Sequence, residues 1–91
     1  MRRVEVRLFA NLREAVGKDT IFLDFKEDPT VKMVLLGLVE REPELRAHLL
    51  ANGSYNDRYK VLVGGKIVFP ENYSKTISSN RVAILPPVSG G

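Results

Sequence analysis

The sequence predicts one α+β domain in which a single main helix crosses a mixed β-sheet. Near the N-terminus, Val4, Val6 and Leu8 alternate with charged residues, which is the period of a half-buried strand. Residues 31–39 instead repeat their apolar side chains with helical spacing. Short apolar runs separated by Gly-Gly and by proline-containing turns follow this helix, as expected for further strands. The 91 residues fit one such domain and leave no room for a second.

The first predicted strand, residues 3–8, leads through a short helical turn into a second strand. The turn covers Asn11 to Val16, and Gly17 stops it at a position that favours a left-handed backbone. Thr20 to Phe25 form the second strand, which is expected to pair antiparallel with the first because the connection is short. The side chains expected on one face of the second strand are those of Ile21, Leu23 and Phe25.

The main helix is predicted to begin after Asp28-Pro29-Thr30, where the Thr30 hydroxyl can cap free backbone N–H groups. Gly37 lies inside the helix at a cost of about 1 kcal/mol relative to alanine, which suggests close packing at that point. Pro43 ends the helix. The apolar stripe that faces the sheet is expected to contain Val31, Val34, Leu35, Leu38 and Val39.

The second half of the chain is predicted to contain one more short helix and three strands. Glu44 to Leu50 form the helix, with Asn52-Gly53 closing it, and residues 51–58 form a loop. The inward side chains of this helix would be those of Leu45 and Leu49. Residues 59–63 and 66–69 form two strands that flank Gly64-Gly65, a dipeptide favoured in two-residue hairpin turns.

Residues 70–80 are a turn-rich connection to the last strand, Arg81 to Leu85, which Pro86 and Pro87 terminate. The resulting order β-β-α-β-β-β indicates a ubiquitin-like β-grasp fold with a mixed five-stranded sheet. Parallel pairing of the first and last strands is compatible with this order. The predicted division is a β-grasp domain over residues 1–85 and an extended tail over residues 86–91.

Composition and charge exclude several classes of function. The chain has no cysteine, which excludes disulfides, thiolate metal sites and a cysteine nucleophile, and which fits a reducing cytoplasm. The 14 basic and 11 acidic residues are interleaved, as on a solvated surface rather than a nucleic-acid-binding face. No apolar run approaches the ~20 residues that span a bilayer, so no membrane partner is expected.

The body of the domain shows no catalytic or metal-binding pattern. His48 is the only histidine and has no partner nearby in the sequence, so a surface role is favoured over a general base. Gly64-Gly65-Lys66 lacks the upstream glycine and the following Ser/Thr of a phosphate loop, and the hairpin interpretation is preferred. Three carboxylates lie close together in the sequence, but they lack the spacing of metal ligands, and a solvated face is preferred. They are those of Glu40, Glu42 and Glu44.

The tail is therefore the predicted functional segment. Pro86-Pro87 is stiff and extended, and it carries the residues after it away from the last strand. Val88 and Ser89 are small, and Gly90 and Gly91 have no side chain that would block an approach to the terminal carboxylate. An ionised carboxylate is a poor electrophile, so reaction would require a better leaving group such as an adenylate.

Three stretches resemble the MoaD/ThiS-type β-grasp sulfur carriers, above all the small subunit of molybdopterin synthase. They are "LFANLRE" (Leu8 to Glu14), "PTV" (Pro29 to Val31) and "LPPVSGG" (Leu85 to Gly91). The similarity runs over essentially the whole chain, and the tail motif is the most specific part. The sulfur carrier of thiamine biosynthesis and the archaeal ubiquitin-like modifiers share the fold and the Gly-Gly end.

The resemblance implies a carrier that is not catalytic alone, binds no cofactor and has its chemistry performed by partners. An E1-like enzyme would use ATP to adenylate Gly91, and a sulfur donor would then give a C-terminal thiocarboxylate. The molybdopterin synthase large subunit would accept the tail, and the thiocarboxylate would donate sulfur to cyclic pyranopterin monophosphate. The resulting dithiolene binds molybdenum or tungsten.

Two other uses remain open on the sequence alone. A ubiquitin-like modifier, joined to proteins through an isopeptide bond, and a carrier for thiamine synthesis or tRNA thiolation would pass through the same adenylate. Residues 43–59 also form a longer segment than compact family members have.

The alternation of the first strand places Phe9 on the face opposite the helix. Leu85 points outward if Val82 and Ile84 face the core, and Ile67 is a plausible third outward residue. The family resemblance likewise implies apolar partner contacts at Phe9, Ile67 and Leu85. We expect these three residues and Pro86 to Ser89 to contact partners, with Gly90 and Gly91 forming the reactive end.

Overall fold

The computed structural model describes residues 1–51 and 53–87 of the chain. Their helices and strands, in chain order, are β1 (Arg2–Leu8), α1 (Ala10–Val16), β2 (Thr20–Phe25), α2 (Val31–Arg41), α3 (Arg46–Leu49), β3 (Leu50–Ala51), β4 (Ser54–Tyr55), β5 (Lys60–Val63), β6 (Lys66–Val68) and β7 (Arg81–Leu85). Short 3₁₀ turns cover Pro43–Leu45 and Pro70–Asn72.

Five strands form the main sheet in the order β2-β1-β7-β5-β6. The β1 and β7 strands pair parallel, and the other neighbours pair antiparallel. Parallel strands need a long crossover connection, and α2 lies within the chain that joins them. The predicted β-grasp fold, the mixed five-stranded sheet and the antiparallel pairing of the first two strands are confirmed.

The α2 helix begins and ends where the sequence predicts. The Met33 backbone N–H donates to the Thr30 side-chain oxygen over 3.1 Å, which caps the first turn. At the other end, the Glu42 N–H still donates to the Leu38 carbonyl, and Pro43 then starts a 3₁₀ turn. The predicted apolar stripe is buried in full, with Val31, Val34, Leu35, Leu38 and Val39 in the core.

The core lies between α2 and the inner face of the sheet. Inward side chains of the two central strands are almost completely buried, with Val6 at 0% and Ile84 at 0% exposure. Burying one such side chain contributes about 1.5–3 kcal/mol, so the sheet and α2 stabilise each other. No helix among residues 1–51 and 53–87 has the length and hydropathy needed to cross a membrane.

Gly64 and Gly65 form the turn between β5 and β6. Their φ angles are 58° and 84°, both in the left-handed region that a two-residue primed turn requires. A Cβ on Gly64 would also lie 3.0 Å from the Ser79 Cβ. The hairpin interpretation of Gly64-Gly65-Lys66 is confirmed.

The segment after α2 differs from the prediction. The predicted helix over residues 44–50 is a 3₁₀ turn followed by the four-residue α3, and Leu50 belongs to a strand. Residues 51–58 are not only a loop, because β3 and β4 pair antiparallel as a separate two-stranded sheet. Two-residue strands carry too little sequence periodicity to be recognised. The inward positions are nevertheless correct, since Leu45 and Leu49 are buried.

Gly37 is not required by close packing. A Cβ built on it would lie 3.6 Å from Leu23 Cδ1 and 3.6 Å from Phe25 Cζ, which are ordinary van der Waals distances. The residue lies inside α2 and is not among the positive-φ glycines. The expectation that this glycine permits a tight helix–sheet contact is therefore wrong.

We expect Gly37→Ala to raise the free energy of unfolding by about 0.5–1 kcal/mol, because alanine is the better helix former and its Cβ fits. Gly64→Ala should lower it, since that residue combines a positive φ with the 3.0 Å approach to Ser79. Urea unfolding of the two variants measures both effects. Equal destabilisation by both changes would contradict the packing described for Gly37.

Candidate functional site

The last strand, β7, ends at Leu85 at one end of the sheet, and the tail begins there. Its inward residues Val82 and Ile84 are buried, which turns Leu85 outward. Pro86 and Pro87 follow and are half-buried, so the root of the tail packs partly against the domain. The remaining predicted tail residues, Val88, Ser89, Gly90 and Gly91, lie outside the described residues.

Phe9 lies at the same end of the sheet and on its outer face. Its backbone is extended, with φ −131° and ψ 156°, so it continues β1 by one residue. Leu8 is buried at 1% exposure, and the alternation of side chains therefore turns Phe9 outward. The Arg7 guanidinium carbon lies 5.9 Å from the Phe9 ring centroid, over the same face.

The strand register brings Phe9 and Leu85 together. Leu8 pairs with Ile84 across the parallel β1–β7 ladder, so the next residues of the two strands are neighbours. Ile67, in β6, lies two strands from β7, which corresponds to about 10 Å. Its side chain is 45% exposed. The three predicted contact residues thus share one face, with Ile67 at its far side.

Further apolar residues fill the space between them. Leu62 pairs with Ala83 on one side and with Ile67 on the other, and its exposure is intermediate. Phe69 follows β6 and is 51% exposed. Together these residues form what we call the outer patch: Phe9, Leu62, Ile67, Phe69, Ala83 and Leu85.

Sequence reasoning did not assign Leu62, Ala83 and Phe69 to this patch. A usable signal was present for Leu62 and Ala83, because each occupies the parity opposite to buried neighbours in its strand. Val61 and Val63 flank Leu62, for example, and both are buried. The neighbours across the sheet could be assigned only once the register was known.

Basic residues border the outer patch. Arg7 pairs with Ala83 in the β1–β7 ladder, and Lys60 pairs with Leu85 in the β5–β7 ladder. Both have exposed side chains. The patch therefore offers an apolar centre and positive charge at its border, an arrangement suited to a protein partner with an acidic rim.

The turn after Phe9 contains two unusual local features. Ala10 has φ 50°, and it is the one non-glycine residue with positive φ in the part of the chain that the structure describes. This conformation costs roughly 1–2 kcal/mol for an L-residue. The next residue, Asn11, donates from Nδ2 to the Tyr59 hydroxyl over 2.8 Å. Since Tyr59 directly precedes β5, this bond ties α1 to the strand that borders β7.

The titratable groups with shifted pKa values do not form a catalytic cluster. A hydrogen bond from the Arg3 guanidinium lowers the pKa of the Asp24 carboxyl, and both side chains lie at the surface. Burial raises the pKa of the Tyr55 and Tyr73 hydroxyls. Within residues 1–51 and 53–87, no group of three or more His, Cys, Asp or Glu side chains could hold a metal ion. His48 is half-buried on α3.

Comparison with known proteins identifies the family. The model of the ThiS family matches residues 6–91. The chain belongs to this family. The resemblance to MoaD/ThiS-type β-grasp sulfur carriers is thereby confirmed.

Individual relatives cover the chain almost completely. It is 31% identical to small archaeal modifier protein 3 of Haloferax volcanii over 90 residues, which cover 97% of this chain and 98% of the relative. It is 28% identical over 88 residues to the molybdopterin synthase sulfur carrier subunit of Dictyostelium discoideum, covering 96% and 94%. The crystal structure of SAMP1 from Haloferax volcanii superposes with a TM-score of 0.85 at 33% identity, covering 98% and 99% of the two chains.

We expect Phe9→Lys to lower the free energy of unfolding by less than about 1 kcal/mol, because the Phe9 side chain lies outside the core. Leu8→Ala, one residue earlier, should cost about 2–5 kcal/mol because it empties a buried position. Denaturant unfolding of this matched pair tests the facing of β1. A Phe9 variant as unstable as the Leu8 variant would show that Phe9 is a core residue.

Proposed function

We propose that this chain is a ubiquitin-like small modifier and sulfur carrier that acts through the carboxylate of Gly91. The observation that carries the proposal is the similarity to small archaeal modifier protein 3 over 98% of that protein's length. The family match also extends through Gly91, the last residue of the "PVSGG" motif. The proposal requires that Gly91 carries a free carboxylate.

Activation supplies the missing leaving group. A terminal carboxylate with a pKa of about 3.3–3.7 is ionised at neutral pH and resists attack. An E1-like enzyme would let a carboxylate oxygen of Gly91 attack the α-phosphate of ATP, forming the acyl adenylate and releasing pyrophosphate. The adenylate is then open to a nucleophile, and AMP leaves with the electron pair of the broken C–O bond.

The nucleophile decides between modifier and carrier. The ε-amine of a target lysine attacks the acyl carbon, loses a proton and forms an isopeptide bond. A sulfide equivalent from a sulfur donor attacks the same carbon and leaves a thiocarboxylate. Both outcomes use the same adenylate, so one chain can serve both.

The domain would contribute the surface that the activating enzyme recognises. In the proposed complex, the activating enzyme contacts the outer patch while the tail enters its active site. Apolar surface at the patch centre supplies the area that a partner can bury, and Arg7 and Lys60 at the border favour an acidic rim. The stiff Pro86-Pro87 pair limits the directions in which the tail leaves β7.

A second candidate function is sulfur transfer in molybdopterin synthesis. The relative from Dictyostelium discoideum, 28% identical over 88 residues, is named a molybdopterin synthase sulfur carrier subunit. In this case the large synthase subunit would accept the tail, and the thiocarboxylate would donate its sulfur to cyclic pyranopterin monophosphate. The greater identity to small archaeal modifier protein 3 gives the modifier the stronger support.

Mass spectrometry distinguishes the candidates. The purified chain is incubated with an E1-like enzyme, ATP and a sulfur donor, with and without an acceptor protein. Replacement of one terminal oxygen by sulfur indicates the carrier, and a Gly91–lysine linkage in the acceptor indicates the modifier. An unchanged mass, under conditions that modify an established family member, would contradict both.

Deletion of Gly91 should abolish adenylation, measured as ATP–pyrophosphate exchange, because the carbonyl no longer reaches the activating site. The midpoint of thermal unfolding should move little, since the core formed by the described residues includes neither Pro86 nor Pro87. A matched variant with one alanine added after Gly91 should fail in the same way. Adenylation of either variant at the normal rate would exclude the terminal-carboxylate mechanism.

Phe9→Lys should weaken binding to the activating enzyme by about 10-fold or more, because it replaces an aromatic anchor of the proposed interface with a charge. Leu36→Lys is the matched control, since Leu36 is 45% exposed on α2, on the opposite side of the sheet. Calorimetric titration compares the two variants. Equal affinities would remove the outer patch from the proposal.

A further inference from the structure

A groove lies between α2 and the small β3–β4 sheet, and its volume is about 330 Å³. Three of its lining residues come from α2, at a spacing of four and three residues that places them on one side of the helix. The opposite wall comes from α3 and the β3–β4 hairpin. We call this cavity the hairpin groove: Lys32, Leu36, Val39, Arg46, Leu50 and Tyr55.

The lining of the hairpin groove is mainly apolar. Leu36 is 45% exposed on α2, whereas Val39, at the bottom of the same side of the helix, is 2% exposed. Leu50 and Tyr55 supply apolar surface from the hairpin, and both are only partly buried. A cavity of about 300 Å³ or more with such a lining is large enough to bury side chains of a binding partner.

The apolar surface continues beyond the groove. Met33 precedes Leu36 by three residues, so the two side chains are neighbours on the surface of α2, and Met33 is 43% exposed. A small molecule that fills the groove would leave Met33 in water. A segment of a protein can cover both the groove and Met33, and adjoining exposed apolar side chains of this kind are typical of protein-binding surfaces.

Lys32 supplies positive charge at the end of the groove nearest the start of α2. Asp28, four residues earlier, already pairs with Arg2 over 2.9 Å. Burial and, to a smaller extent, the Asp57 carboxylate raise the pKa of the Tyr73 hydroxyl, so Asp57 lies near that hydroxyl. Among residues 1–51 and 53–87, no carboxylate forms an ion pair with Lys32.

Charges at the other end of the groove oppose each other. Burial raises the pKa of the Tyr55 hydroxyl, the Arg46 guanidinium lowers it, and the Glu40 carboxylate raises it further. Both charged side chains therefore lie near this hydroxyl, and their effects on a bound molecule partly cancel. The positive charge that a partner can match is that of Lys32.

The walls of the groove favour a helical occupant over an extended one. An extended segment needs a strand edge with which its main chain can bond, and β3 and β4 have two residues each. A helix satisfies its own main-chain groups. Residues 32–39 extend about 10 Å along α2, so a helix beside them can place side chains from two of its turns in the groove.

We propose that the hairpin groove binds an amphipathic helix of a partner protein, with apolar side chains against Leu36, Leu50 and Tyr55 and an acidic residue beside Lys32. The groove lies on the side of the sheet that carries α2, opposite the outer patch. The partner is therefore a protein other than the activating enzyme, and it can bind while the tail is engaged.

A second copy of this chain is a poorer occupant. A symmetric dimer would bring the same surface of both copies together, with Lys32 of each copy near the contact, and like charges at a contact are unfavourable. The α1 helix of a second copy also fits poorly, because its Leu12 is buried at 0% exposure and is not free to enter the groove.

The probe is the capped peptide acetyl-Ser-Pro-Glu-Glu-Leu-Ala-Gln-Leu-Leu-Gln-Gln-Ala-Gln-amide, titrated into the ¹⁵N-labelled full chain. Its three leucines share one helix face, and its glutamates lie at one end of that face. We expect saturable amide shifts in α2, β3 and β4, with a dissociation constant at or below about 1 mM. A peptide with alanine in place of the leucines should bind at least about 10-fold more weakly, because it loses the apolar contacts.

Lys32→Glu should weaken binding of the probe at least about 5-fold, because it replaces an attraction with a repulsion. A probe with lysine in place of both glutamates should recover the affinity for this variant, a result that a folding defect cannot produce. Lys26→Glu is the matched control, since it changes the net charge equally at an exposed position after β2. Its affinity for the probe should be unchanged.

Three results would overturn the proposal: no shifts at millimolar peptide, shifts confined to the outer patch, or equal binding of the probe by the Lys32→Glu variant. Two further measurements address other occupants. A concentration-dependent dimer in sedimentation equilibrium that Leu36→Asp abolishes would assign the groove to a second copy of the chain. Flotation with phosphatidylglycerol vesicles that Leu36→Asp abolishes would assign it to a membrane surface.

Discussion

The parallel pairing of β1 with β7 is the constraint from which the rest of the architecture follows. It aligns Val6 with Val82 and Leu8 with Ile84, so the inner faces of both strands form one continuous apolar surface. All four side chains are at most 1% exposed, beneath α2. Because the two strands run in the same direction, their C-terminal ends lie at the same end of the sheet. Phe9 and the root of the tail are neighbours for this reason.

The two faces of the sheet therefore differ in what they contribute to stability. The inner face and α2 supply the stability, since the ion pairs that the structure shows, such as Arg3 with Asp24, lie at the surface, where such pairs contribute little. The outer face is then free to carry apolar residues that the fold does not need. The β7 strand ends at Leu85, and Pro86 and Pro87, which follow it, are likewise not part of the core. The surface proposed for recognition and the segment proposed for reaction thus lie outside the core on which folding depends.

Much of the fold could be predicted because its elements are long and periodic. The stripe of α2, its Thr30 cap and the Gly64-Gly65 turn each have a local physical cause visible in the sequence. The β3–β4 hairpin was not predicted, because two-residue strands are too short to show an alternation of apolar and polar residues. The prediction for Gly37 failed for another reason. The sequence shows an unfavourable glycine, and only the positions of Leu23 and Phe25 reveal that packing does not explain it. The chemistry proposed for the tail depends on residue types and their order, so the sequence is sufficient to suggest it.

In the proposed complex, the outer face of the sheet binds the activating enzyme while the C-terminus is adenylated. The most direct test is a titration of the ¹⁵N-labelled chain with the E1-like enzyme, in which amide signals report the contact surface residue by residue. Signals of β5, β6 and β7, together with that of Phe9, should broaden first, and those of α2 should stay sharp. Broadening centred on α2 with an unaffected sheet would contradict this proposal.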